Sequence, residues 1–111
     1  MIATRLGAVL ADYDALLVPA MAIPALAAGV DYTEEPIAID GVPYDAMRNV
    51  CLTEVFNPAG RCPVLTVPAG RDLEGVPIGV QVVGRTYDDP TVFRIGAAIE
   101  QAQPWPLVAT L

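Results

Sequence analysis

The spacing of apolar residues changes several times along the chain, and each change predicts an element. In residues 2–11, Ile2, Leu6, Val9 and Leu10 recur at helical spacing around Gly7, and the segment reads as the end of a helix whose beginning lies upstream. Residues 15–18 form a short unbroken apolar run that stops at Pro19, the pattern of a strand buried on both faces. From 19 to 43 periodicity fades and Pro19, Pro24, Pro36 and Pro43 punctuate the chain, which predicts a long loop. Such a loop signals function, disorder or a missing neighbour. Within it, Ile37, Ala38 and Ile39 followed by Asp40-Gly41 suggest a short strand and turn.

Helical spacing returns over 44–56, with Met47, Val50, Cys51 and Val55 on one stripe and Asp45, Arg48 and Asn49 turned away. Asn57-Pro58 is expected to end this helix, because a proline disfavours helical geometry in the residue before it. Residues 63–67 and 78–83 are β-branched runs joined by a polar turn containing Gly75, the pattern of an antiparallel hairpin. The last element has the clearest start signal: Asp88 and Asp89 offer caps and Pro90 takes the first helical position, where a missing N–H costs nothing. Val92, Ile95, Gly96 and Ile99 then share one face, and Pro104 and Pro106 close the segment. The order is helix, strand, loop, helix, strand, strand, helix. It predicts an α/β unit with helices packed on a mixed β-sheet. Three main strands are few for independent stability.

Composition changes that picture in one respect. The chain has 111 residues, at most one small domain, yet 54% of them are hydrophobic and 17% charged. Average soluble chains run roughly 45–50% apolar and about 25% charged. With a mean hydropathy of +0.48, the surplus favours a piece of a larger core, or an oligomer, with an apolar face to cover. The longest apolar stretch, residues 15–30, is broken by Pro19 and Pro24 and falls short of the ~20 residues of a membrane span. No basic, signal-like leader precedes it. The expectation is a cytoplasmic protein without membrane contact. A net charge of −7, with the six arginines scattered, argues against nucleic acid as a partner.

Candidate chemistry is sparse. The sequence contains no serine, lysine or histidine, so Ser–His–Asp, Cys–His and Ser–Lys arrangements have no components here. Cys51 and Cys62 without histidine make a poor zinc set, and packed free thiols are the expectation. Arg61 beside Cys62 raises the idea of an activated thiol, but a thiol next to Pro63 and an apolar strand more often packs than reacts. Glu34-Glu35 reads as a solvated loop and Asp88-Asp89 as a helix cap. Gln81, alone among apolar neighbours, reads as a hydrogen-bonded sheet residue. The glycines around 70–85 follow no phosphate-loop spacing and read as turns.

Five motifs in register carry a family resemblance over roughly residues 12–100. They are Tyr13, Asp14, Leu16, Leu17 and Pro19; Thr53, Asn57 and Gly60; Pro63, Val67, Pro68 and Gly70; Pro77, Gly79, Gln81 and Gly84; and Asp88, Asp89 and Glu100. This series resembles the C-terminal region of the amidase signature family, hydrolases that cleave carboxamides with a Ser–Ser–Lys set. Arg61 and Cys62 depart from it by standing where much of the family has one residue. The resemblance implies that residues 1–111 are one segment of a larger amidase domain, of a type that includes the amidase component of glutamyl-tRNA amidotransferases. The catalytic set would lie in a preceding core, leaving no catalytic residue and no metal or cofactor on this chain. It implies a role for Thr53, Phe56 and Asn57 in the wall of a substrate pocket, whereas the residues themselves also suit a helix end (Thr53, Asn57) and core (Phe56). The expected partner is the amidase core, or a second copy met through the apolar face, and a small amide substrate enters only in the full-length parent. The rival expectation is a stand-alone, non-catalytic interaction module descended from such a tail.

Overall fold

The structure is a computed structural model that describes residues 2–106, the Met47 side chain excepted. Helix α1 (Ile2–Asp12) leads into strand β1 (Ala15–Pro19). The strands β2 (Ile37–Ile39) and β3 (Val42–Tyr44) follow, then the short helix α2 (Ala46–Asn49) and a 3-10 helix (Thr53–Ala59). Strands β4 (Val64–Arg71) and β5 (Pro77–Gly84) precede helix α3 (Asp89–Ala102). The α/β class stands: helices pack on a three-stranded sheet of order β1-β5-β4, with both ladders antiparallel.

Local chemistry accounts for the turns. Asp40 and Gly41 both take positive φ, 51° and 77°, as the two-residue loop of the β2-β3 hairpin requires. In the β4-β5 turn the Asp72 carboxylate accepts from the backbone N–H groups of Glu74 and Val76 at 2.9 and 2.7 Å. The Asp88 side chain caps α3 by accepting from the Thr91 N–H, with Pro90 in the first turn.

Two expectations change. The helix foreseen over 44–56 is not continuous: α2 spans Ala46–Asn49, Asp45 caps it, and the chain opens at Val50 and Cys51. There residues 20–22 continue beyond β1, the Ala22 N–H donating to the Val50 carbonyl (2.8 Å) and the Leu52 N–H to the Ala20 carbonyl (3.0 Å). Those bonds to a distant segment replace helical ones. The chain then resumes as a 3-10 helix that runs through Pro58 to Ala59. Of the expected stripe, Val50 is buried, Cys51 is half-buried, Val55 is exposed, and the side chain of Met47 lies outside the described residues. Nor is β1 covered on both faces, for Leu17 is 55% exposed. The cause is topology: β1 stands at the sheet edge and α3 packs over β4 and β5.

Strand alternation sorts the sheet residues into two faces. On one, Leu65 and Val67 meet α3, whose Gly96 lets the helix come so close that a Cβ there would stand 2.6 Å from a Leu65 methyl. On the other, Val83 packs with Leu6 and Leu10 of α1 and Ala59 of the 3-10 helix, with Leu16 and Phe56 against them. Arg85 ties α1 to the sheet end, donating from Nε to the Leu10 carbonyl (2.7 Å) and from Nη2 to the Tyr13 carbonyl (2.9 Å). Leu10 belongs to the last helical turn, whose carbonyls lack partners within the helix. A second small cluster, Ile37, Ala46 and Val50, sits beneath the β2-β3 hairpin.

The molecule is flat, 42 × 38 × 20 Å, and its radius of gyration is 15.8 Å. An isolated domain of this length would have about 13 Å. Its accessible surface is 7972 Å², against roughly 5,900 Å² for a folded monomer of the same mass. The layered fold is formed, but much of its apolar surface is uncovered.

Candidate functional site

On the α1 face the 3-10 helix does not reach across the whole sheet. Between the helix and the open part of β4 and β5 lies a cleft of about 320 Å³. Thr53, Phe56 and Asn57 form its helical side, and Val64, Thr66 and Gln81 its floor. The structure thus brings the three residues singled out in the sequence to one wall. Phe56 also packs into the Leu6–Leu10 cluster, so pocket and core share a side chain. The Thr53 hydroxyl is 2.9 Å from the Cys51 thiol, which sets its orientation, while Asn57 is exposed.

Gln81 is the unusual member. It is fully buried and donates from Nε2 to the Pro19 carbonyl at 3.0 Å. That bond fixes the amide orientation, since a carbonyl must face a donor. Its Oε1 is then left buried without a hydrogen-bond partner among the described residues. The sequence pointed to Gln81 as a paired sheet residue, and half of the amide is paired. Its place in the cleft, and that of Thr66 directly opposite it in the ladder, follow only once the hairpin register sets Thr66 against Gln81. The spacing of the two strands carried that signal in principle, because both residues fall on the same face in that register.

The cleft is almost uncharged. Its one ionisable lining group is Cys62, half-buried and unbonded to Cys51, with its sulfur 3.7 Å from the Thr86 hydroxyl. It offers hydroxyl and amide groups able to bind and orient a ligand, and no base beside a nucleophile among the described residues. The acidic pairs lie elsewhere, Asp88 as the α3 cap and Glu34-Glu35 on the exposed turn after Asp31. Asp31 is held below its ordinary carboxylate range, chiefly by the Thr33 hydroxyl and then by the Thr33 N–H. A larger groove of about 390 Å³ runs along α3 between Leu65, Phe93 and Trp105. Arg71 stacks over the Trp105 ring at 5.0 Å nearby. Its walls are mainly apolar, with Glu100 and Gln103 as the polar side chains of the α3 side.

The sequence profile of the Amidase family matches residues 1–93. The chain belongs to the amidase family. Among its relatives, the glutamyl-tRNA(Gln) amidotransferase A-subunit of Nitrobacter hamburgensis is 39% identical over 92 residues, 83% of this chain and 17% of that protein. The corresponding protein of Rhizobium etli is 40% identical over 92 residues, again 83% and 17% of the two chains. That of Rhodopseudomonas palustris strain BisB18 is 45% identical over 60 residues, 54% of this chain and 12% of that protein. The chain thus spans about one sixth (17%) of the length of the first of these amidase relatives. Among the described residues no helix is long and apolar enough to cross a membrane.

Proposed function

We propose that this chain is the C-terminal segment of a serine-type amidase that hydrolyses the C–N bond of a carboxamide. It supplies scaffold and one wall of the substrate pocket; the nucleophile and base come from the rest of the polypeptide. The observation that carries this reading is the cleft, where Thr53, Phe56 and Asn57 converge with Gln81 beside no paired nucleophile and base. The absence of serine, lysine and histidine from the sequence supports the same division of labour, as does the surplus of accessible surface. The relatives are components of an amidotransferase, and moving an amide group requires making or breaking a carboxamide C–N bond. On this reading residues 1–111 act as one segment, in the cytoplasm, with no metal or cofactor, and the chain alone is inactive.

The test has two parts. The DNA upstream of Met1 should encode an in-frame Gly/Ser-rich core with a lysine, and that longer polypeptide should hydrolyse small carboxamides. The purified 111-residue chain should not; hydrolysis by it that survives Cys51→Ala and Cys62→Ala together would sink the proposal. A second reading, a stand-alone interaction module, is favoured by the apolar side chains left in the open, Leu17 at 55% and Phe93 at 62% exposure. A promoter and ribosome site immediately before Met1, with a self-associated species in light scattering, would select it.

A further inference from the structure

Burying a hydrogen-bond acceptor without a donor forfeits its bonds to water with nothing in return. Few such atoms persist in folded proteins without a reason. The Gln81 Oε1 is one, and it belongs to a side chain that lines the cleft. Its amide cannot relieve the deficit by flipping, because Nε2 is committed to the Pro19 carbonyl. The floor beside it supplies no remedy, as Thr66 is directly opposite in the ladder yet makes no bond to it. What the atom lacks is an N–H or O–H donor.

We infer that Gln81 is a specificity-determining residue that accepts a hydrogen bond from the N–H of a bound primary carboxamide and so selects amides over esters of the same shape. The inference rests on the amidase reading and adds to it the group that distinguishes the scissile nitrogen from an oxygen. A primary amide presents two N–H donors in the plane of its carbonyl. An ester presents only lone pairs at the same position, and lone pair against buried lone pair leaves the acceptor unsatisfied. Sites built to hydrogen-bond a ligand group reject the analogue that lacks it far more strongly than apolar pockets reject a change of size. Phe56 and Val64 give the acyl part an apolar surface, and exposed Thr66, opposite Gln81 in the ladder, lines the floor beside it.

The experiment uses the ¹⁵N-labelled 111-residue chain and three probes of one shape class: benzamide, N,N-dimethylbenzamide and methyl benzoate. Titrations are followed by ¹H–¹⁵N spectra. Benzamide should move the Gln81 side-chain NH₂ and Thr66 amide signals saturably, and both N–H-free probes should bind about tenfold more weakly, the value of one buried hydrogen bond. The Gln81→Met variant, which keeps length and removes the acceptor, should bind all three probes equally. That variant also loses the bond to Pro19, so the wild-type series stands as the primary readout should it fail to fold. Equal affinity of the wild type for all three probes overturns the inference, as do shifts confined to Phe56 or a spectrum with no dispersed signals. Equal affinity would leave the amidase reading in place. An upstream frame lacking serine and lysine would sink that reading without touching the probe result.

Discussion

The two faces of the β1-β5-β4 sheet are finished differently. On one, α3 lies close against β4 and β5: Val92 is 1% exposed, and Gly96 and Gly84 leave no room for a Cβ beside Leu65 and Val92. On the other, α1 and the 3-10 helix cover only the Val83 end, and the next rung, Thr66 and Gln81, faces a cleft. The packed face is stabilised by tight contact. The open face contains the one buried side-chain acceptor without a donor among the described residues. The two sides of one sheet thus differ in how closely their helices approach, and the buried acceptor without a donor lies on the side of the cleft.

Substitutions can break that contrast. Leu10→Ala removes a side chain only 2% exposed at the centre of the α1 face. It should cost about 2–5 kcal/mol, read as a lower urea midpoint, and should also disturb the cleft, because Phe56 shares the cluster. Unchanged probe binding in this variant would show that the cleft does not depend on α1. Gly84→Ala tests the packed face, where the new Cβ would lie 2.5 Å from a Val92 methyl and 3.1 Å from the Pro63 ring. Valine has few rotamers with which to retreat, so overpacking should cost about 1–3 kcal/mol while the Gln81 side-chain signals stay in place. Asp88→Ala is the mildest change. It removes the cap on the Thr91 N–H, a 3.4 Å bond, and should cost about 1 kcal/mol, seen as lower thermal stability and faster exchange in the first turn of α3 alone.

Much of this is legible in the chain. The Asp88-Asp89-Pro90 start of α3, the β4-β5 hairpin around Gly75 and the Asp40-Gly41 turn are local signals, each set by a backbone preference within a few residues, and each is found in the structure. The region 44–56 misleads because helical spacing is also compatible with a chain whose backbone bonds go elsewhere. Ala20 and Ala22 take the bonds at Val50 and Leu52, and nothing within residues 44–56 announces them. The wall residues Thr53 and Asn57 can be picked out by the motif they share, with Phe56 beside Asn57, whereas the pairing of Thr66 with Gln81 needs the register.

Residue identity and neighbours a few positions away are enough to specify the family, the start of α3, the turns, and the lack of serine, lysine and histidine. Folding in three dimensions was needed to make β1 an edge strand with Leu17 in the open, to put the cleft on the α1 face, and to bury one atom of Gln81 without a partner. Those outcomes arise from pairing and packing between segments about sixty residues apart, as in the bond from Gln81 to Pro19, and burial of that kind has no signature in a local pattern.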